Sequence, residues 1–421
     1  MTLQSNGVSL LIVVDHKPVN HKINILPIGA LAYLSRDPTH ILIWERVMDY
    51  QFCSADDHVD LRFLPPDLWQ KRVPPKFRER APRIVDKPEG QIWVADGQTF
   101  ATVPMKHHLE TIGGKFTPVD HESGRWRPTT PELRLADMDR DRVESQVLYG
   151  GLILGFQAKD PELNAVCMQA YNDWVVEFCQ SAPERLIGLG FLPVHDADAA
   201  VAELYRCAKL KLRGVQFPPF DAYKPVWHPV WNPLWAAAHE TGVSVSFHVG
   251  AGHWTMPMTE TGGPNIPKNC GAYASASATL PNQLDEVLGA IVLCGAMERY
   301  PNFHAVLGES SIGWIPYVLD RMDRNHVERG GGKYARYDAP LKELPSFYWK
   351  RQGHATFQND PIGVRLLDAM GPQTAMWGSD YPHVDGVWPH SHSTAEENFK
   401  GTDPKISRMV LRDNAKKLYA S

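Results

Sequence analysis

From residue 131 onward the apolar positions fall into two alternating kinds of run. Short, nearly unbroken apolar runs such as Val243-Ser244-Val245-Ser246-Phe247 suit strands covered on both faces, whereas longer stretches with an apolar residue every third or fourth position suit amphipathic helices. The pattern predicts helices over 135–142, 161–181, 196–210, 229–241, 281–298, 314–328 and 361–370. Between them it predicts strands over 145–149, 185–192, 214–217, 243–249, 303–308, 354–357 and 374–378. In the helix over 196–210, Ala199, Ala202, Leu204 and Ala208 form the expected inward face.

Upstream, Tyr50-Gln51-Phe52-Cys53 opens a further strand, which Leu64-Pro65-Pro66 cannot continue because proline lacks the donor that a central strand needs. That strand brings the count to eight, nearly all followed by helices. The fold class is α/β, a closed (β/α)8 TIM barrel over 48–421, with insertions after strands one and five. A doubly wound open sheet is the alternative, but no Gly-rich phosphate turn follows the first strand.

The two insertions, 62–130 and 250–280, read as lid-like or as packed structural excursions. The first is rich in Pro, Arg and aromatics. Turn signals at Lys87-Pro88-Glu89-Gly90 and Asp96-Gly97 flank Gln91-Ile92-Trp93-Val94 and predict a small hairpin there. Residues 1–47 show short apolar runs without a clear period. They read as a peripheral extension, either an extra hairpin or sequence upstream of a start at Met48.

Composition narrows the function classes. With 421 residues, 43% of them hydrophobic, and a net charge of −5, the chain shows no basic surplus that would point to nucleic acid. It shows no stretch near the roughly 18 to 20 apolar residues of a membrane span. Cys53, Cys167, Cys179, Cys207, Cys270 and Cys294 have no metal-knuckle or disulfide spacing, so a reducing cytoplasm is the expected compartment.

The candidate chemistry sits at strand ends. The first strand closes on Ser54-Ala55-Asp56-Asp57-His58-Val59-Asp60, where alternation puts Asp56, His58 and Asp60 on one face and Asp57 and Val59 on the other. Two carboxylates and an imidazole are expensive to bury together unless paired or bound to a cation. The same end of strand five carries Phe247-His248-Val249-Gly250. Strand six ends in Gly308-Glu309-Ser310-Ser311 and strand eight in Gly378-Ser379-Asp380-Tyr381-Pro382-His383. In a (β/α)8 barrel these ends build the active site, so the set reads as a metal centre with a position open for water or substrate.

Each residue taken alone has a plainer role. His248 reads equally as a satisfied structural histidine, Glu309 as a cap on a helix beginning near Ile312, and Asp380 as a turn residue. His383, three residues beyond Asp380, is placed to support the metal ligands or to face substrate. His253, His354 and His390 carry weaker signals, and His354, at the start of its strand, is expected to face away.

The ordered motifs D-D-H-V-D with L-P-P-D-L-W, F-H-V-G, G-E-S-S-I-G-W-I-P-Y and W-G-S-D-Y-P-H resemble the amidohydrolase-related metal-dependent enzymes. The branch is the one that includes aminocarboxymuconate-semialdehyde decarboxylase and γ-resorcylate decarboxylase. The resemblance covers roughly 48–420 and implies a barrel holding one divalent metal, zinc or manganese. Carried over by position, it implies Asp56, His58, His248 and Asp380 as ligands; the strand ends themselves add Asp60 as a further ligand candidate and Asp380, Glu309 and His383 as catalytic candidates. The chain departs from the family at Asp56, where the first histidine of an H-x-H pair is usual, and at Glu309, where the decarboxylases often carry a histidine.

The expected activity is decarboxylation of a small aromatic or cyclic carboxylate. Hydrolysis of an ester, lactone or amide with the same ligands is the alternative, and a catalytically silent ligand-binding barrel is the second. The implied partner is a small molecule, with no nucleic acid or membrane, and self-association into a homo-oligomer is open.

Overall fold

The computed structural model describes residues 2–5, 8–12, 25–27, 51–88, 90–102, 129–150, 160–250, 272–327, 341–383 and 386–419. The chain divides into two compact units, residues 1–50 and 51–421. In the first, Thr2–Ser5, Val8–Ile12 and Ile25–Pro27 pair antiparallel in a three-stranded sheet.

In the second unit the apolar runs become parallel strands. These are β1 (Phe52–His58), β2 (Val143–Tyr149), β3 (Leu186–Gly188, continued by Gly190–Phe191), β4 (Gly214–Gln216), β5 (Ser244–His248), β6 (Ala305–Gly308), β7 (Gly353–Phe357) and β8 (Ala375–Trp377). Each pairs with the next, and β3 links the two sheets through its two segments. The ring closes where β8 returns to β1. The Asp380 amide donates to the Asp56 carbonyl (2.8 Å) and the His58 amide to the Tyr381 carbonyl (2.8 Å). These two bonds join the segment just past β8 to β1, at the seam where a barrel removes its strand edges.

Helices follow where the period predicts, with local differences. The helix expected over 135–142 is Pro131–Arg140, started earlier by Pro131 in its first turn and by Thr130, whose hydroxyl accepts from the Leu133 amide (3.3 Å). The helix expected over 281–298 breaks into Asp285–Leu293 and Ala296–Arg299 at Gly295, whose φ of 75° ends one segment and opens the next.

In Ala197–Lys209 the inward face is Ala197, Ala200, Glu203, Leu204 and Cys207. Ala202 is exposed and Ala199 and Ala208 are only half-buried, so the expected face was rotated by about one residue. Asn172 draws Glu203 inward by donating to its carboxylate (2.6 Å). Helix Pro345–Gln352, ahead of β7, and the closing segments Ser391–Asn398, Pro404–Arg408 and Asn414–Tyr419 complete the covering layer.

The first insertion contains the expected hairpin and one strand more. Arg83–Lys87, Gly90–Ala95 and Gln98–Thr102 form an antiparallel sheet turning at the two predicted signals. Residues 103–128 of that insertion and 251–271 of the second lie outside the described residues. Among the described residues no helix is long and apolar enough to cross a membrane.

Candidate active site

A bulge aims the first group of side chains. β1 and β2 run in register at Ser54 against Gln146 and then slip, so that Asp57 faces Leu148 and His58 faces Tyr149. Cys53 and Ala55 point into the barrel core. The extra residue lets Asp56 and His58 point inward as well, which unbroken alternation from Cys53 would forbid. Asp57 goes the other way, accepting from the Ser379 hydroxyl and from the Tyr381 amide (3.1 Å).

Two glycines make room for this. A Cβ on Gly378 would lie 2.6 Å from Asp56 Cβ, and one on Gly308 would lie 2.5 Å from the His248 ring. Beyond these strand ends Glu309 and Asp380 take left-handed backbone, with φ of 50° and 56°. Non-glycine residues hold such a conformation at a cost of about 1–3 kcal/mol, and only where the surroundings enforce it. At Glu309 the enforcement is visible. Its amide donates to Asp56 Oδ2 (2.7 Å) and to Thr356 Oγ1 (2.7 Å), and the threonine hydroxyl donates on to Asp56 Oδ2 (2.5 Å).

The side chains meet at the mouth in two overlapping groups. One donor atom each from Asp56, His58 and His248 lie within 4.8 Å of one another, and so do one each from His58, Glu309, Asp380 and His383. His58 belongs to both. Its Nε2 lies 3.1 Å from Asp380 Oδ1, 3.6 Å from Asp56 Oδ1 and 3.8 Å from Glu309 Oε2. His248 Nε2 lies 3.5 Å from Asp56 Oδ1 and 3.6 Å from Glu309 Oε2. Its Nδ1 is 2.8 Å from the Val249 carbonyl, a contact that puts the ring proton there and turns the Nε2 lone pair toward the cluster.

His248 therefore points into the site and not into the helix layer. Glu309 faces the site too, and the amides of Ile312 and Gly313 that it was a candidate to cap are instead taken by Asp360 (2.8 Å each). Asp60 sits on the far side of His58, 3.5 Å from its Nδ1. His383 stacks on His58 with ring centroids 3.9 Å apart, and spans Asp60 Oδ2 (2.8 Å) and Asp380 Oδ1 (2.9 Å) with its two nitrogens. Asp60 and His383 thus brace His58 and Asp380 from behind.

Of the weaker candidates, His390 is exposed and precedes helix Ser391–Asn398. His354 pairs with His304 (3.0 Å) near the opposite end of the barrel, and His253 lies outside the described residues. The expectation that His354 faces away fails in one respect. It shares a face of β7 with Thr356, so it points inward, but at the floor.

The electrostatics ask for a cation. Asp56, Asp60, Glu309 and Asp380 are buried together against the imidazoles of His58, His248 and His383. Burial, and after it the Asp380 charge, push the Glu309 carboxyl well above its ordinary range. Burial and the neighbouring His383 ring press His58 down, yet Asp380 and Asp60 override them and raise it to about 10. Protons drawn onto the imidazoles are one way to balance this excess of negative charge, and a divalent cation is the other.

Buried Asp56 Oδ1, His58 Nε2, His248 Nε2 and both Asp380 carboxylate oxygens make no hydrogen bond of ordinary geometry. Buried polar atoms left so are rare. Ligands at about 2.0–2.2 Å from one ion lie no more than roughly 4.4 Å apart. The separations of His58 Nε2 from Asp56 and Asp380, and of His248 Nε2 from Asp56, fit, while Asp380 falls in the group of His58, Glu309 and His383 and not in that of Asp56 and His248. The mixed oxygen and imidazole set suits zinc or manganese.

Residues that the sequence did not single out support the site. Thr356 fixes Asp56. Arg134, fully buried, donates to the His58 carbonyl and to Gln146 Oε1 (2.8 Å). The sequence carries no particular signal for Arg134, which stands in a charged stretch just ahead of the expected helix.

Residues 100–420 match the family model described as Amidohydrolase. The 2-amino-3-carboxymuconate-6-semialdehyde decarboxylase of Dictyostelium discoideum is 24% identical over 288 residues, 66% of this chain and 74% of that protein. Among solved structures, an amidohydrolase from Mycobacterium avium subsp. paratuberculosis K-10 superposes with a TM-score of 0.69 at 19% identity, covering 88% of this chain and 98% of the other. A dihydroxybenzoic acid decarboxylase from Polaromonas sp. JS666, holding manganese and the inhibitor 2-nitroresorcinol, gives 0.57 at 16% identity, with 88% and 97% covered.

Proposed function

The chain belongs to the amidohydrolase family, and from that premise we propose that it is a metal-dependent carboxy-lyase that removes carbon dioxide from a small aromatic carboxylate. The observation that carries the proposal is Glu309. Its carboxyl lies beside the imidazoles of both His58 and His248, on a strained backbone that the network at Asp56 holds in place.

Asp56, His58, His248 and Asp380 would hold the ion, and Asp60 and His383 would keep His58 and Asp380 in their orientations. Bound there, a divalent cation would supply the positive charge that draws in a substrate carboxylate. Glu309, placed beside both imidazoles, gives the proton of its neutral form to the ring carbon that bears the carboxylate. The bond to the carboxylate then breaks, its electron pair returns to the ring, and carbon dioxide leaves. Glu309 recovers a proton from solvent, so each turnover consumes one proton. His383 has both nitrogens engaged by carboxylates, which makes it a brace for Asp380 and not the donor.

Selectivity among aromatic acids is expected to come from segments 62–130 and 250–280, with residues 1–47 peripheral to the reaction. The described cysteines are unpaired and mostly buried, in keeping with a reducing cytoplasm.

The test is metal analysis of the purified protein, followed by a screen of dihydroxybenzoates and related acids for carbon dioxide release, with esters and lactones assayed in parallel. One zinc or manganese per chain and carbon dioxide release are expected. Glu309→Gln should lower turnover by on the order of 10²-fold with metal retained. Hydrolysis without carbon dioxide release, or near-normal turnover in Glu309→Gln, overturns the assignment.

A further inference from the structure

Behind the ligands, helix Pro131–Arg140 turns Arg134, Asp137 and Met138 inward, a spacing of three and four that forms one helical face. Arg134 is a fully buried cation, which a protein tolerates only where its donors are used. Two of them are spent on the His58 carbonyl and on Gln146 Oε1 in β2 (2.8 Å). The guanidinium lies 5.2 Å from the centroid of the Tyr381 ring.

Tyr381 then closes the circuit. Its carbonyl accepts from the His58 amide (2.8 Å), its amide donates to Asp57 Oδ1 (3.1 Å), and its hydroxyl donates to Asp137 Oδ2 (2.5 Å), one turn along the helix from Arg134. Trp388 Nε1 donates to the Asp137 carbonyl (3.1 Å), so the loop after β8 is fastened to the same helix further on. Both backbone polar groups of His58 are thus pinned, one by Arg134 and one by the residue that follows Asp380.

We infer that Arg134 is a positioning residue, which fixes His58 and the loop carrying Asp380 in the geometry a divalent ion requires while touching neither ion nor substrate. The inference rests on the proposal that this site holds a divalent ion, and it extends the site to a helix outside the barrel strands. A planar fork suits the task because it reaches two carbonyl oxygens on neighbouring strands at once, which an ammonium group at the same place does not.

Metal-free wild type, Arg134→Met and Arg134→Lys are titrated with Mn2+ by equilibrium dialysis. The EPR spectrum of the bound ion is recorded, along with far-ultraviolet circular dichroism of the metal-free proteins. Loss of a residue that orients ligands typically weakens binding by roughly 10- to 100-fold. That loss is expected for Arg134→Met with its circular dichroism unchanged, a smaller loss for Arg134→Lys, and an altered EPR line shape in both. Should Arg134→Met not fold, Arg134→Lys and Tyr381→Phe decide. Each should bind Mn2+ severalfold more weakly while remaining folded.

Binding within about twofold of wild type in folded Arg134→Met, or in both substitute variants, overturns the inference, because an orienting residue is worth more than that. Absence of Mn2+ binding in the wild type sinks the metal-site proposal instead.

Discussion

The two ends of the barrel are built on opposite principles. At the mouth, buried carboxylates and imidazoles crowd within hydrogen-bonding range of one another, several of their atoms make no ordinary hydrogen bond, and Glu309 and Asp380 hold left-handed backbone. At the floor, Cys53, Ala55, Val147, Leu189, Val306 and Met376 from the strands pack against Ala415 and Tyr419 of the last helix. The Tyr149 hydroxyl, close by, meets Ser246 Oγ (3.2 Å). The mouth spends stability on a geometry, and the floor supplies it. A single chain manages both because the strand ends are free to vary while the strand middles are fixed by packing.

The comparison breaks first at His248. If the mouth is an ion site and not part of the core, His248→Ala should release the metal and lower turnover by more than about 10²-fold. The metal-free protein should lose little stability, no more than about 1 kcal/mol, since the deleted ring makes one hydrogen bond, from Nδ1 to the Val249 carbonyl (2.8 Å), and none of ordinary geometry from Nε2. A large drop in metal-free stability would show that the mouth is structural. The reciprocal change is Met376→Ala at the floor. Removing this fully buried side chain should cost about 2–5 kcal/mol of unfolding free energy in a denaturant titration. The surviving folded protein should bind metal as before, and a lost metal site there would mean that the two ends are not separable.

How much of this was readable from the residues follows the same division. The strands and most helices were legible because continuous apolar runs and three-four spacing are properties of the chain alone. That Asp56, His58, His248 and Asp380 meet at one end of the barrel was legible because a barrel gathers strand ends whatever lies between them. What was hidden depends on partners distant in sequence. The bulge that lets Ala55 and Asp56 both turn inward is set by pairing with β2, and Arg134 acquires its role only when His58 is brought beside it. The face of Ala197–Lys209 was misjudged for a related reason, since Glu203 is inward by virtue of Asn172. The closing segments from Ser391 onward went unread, although Ala415 and Tyr419 plug the barrel. They carry apolar residues, but what these cover includes the far end of β1, more than three hundred residues earlier.

The smallest effect sharpens the account of the floor. His304 Nδ1 and His354 Nε2 lie 3.0 Å apart, a contact that works when one ring donates and the other accepts, so the pair favours neutral rings. Burial, and after it the neighbouring His304 ring and Lys417, push His354 down to about 3, and burial lowers His304 as well. An unfolded histidine titrates near 6.5. Above that value neither state of the protein protonates His354, and its contribution to stability is fully present. As pH falls below 6.5 the unfolded chain takes up a proton that the folded chain refuses, and stability is lost progressively down to about pH 3. His354→Gln keeps a donor opposite His304 and removes this titration. Wild type should therefore lose up to about 2 kcal/mol more than His354→Gln between pH 7 and pH 5, read from paired urea titrations of the metal-free proteins. Parallel losses in the two proteins would mean that His354 protonates in the folded barrel as readily as in water, and the floor would then be wetter than its packing implies.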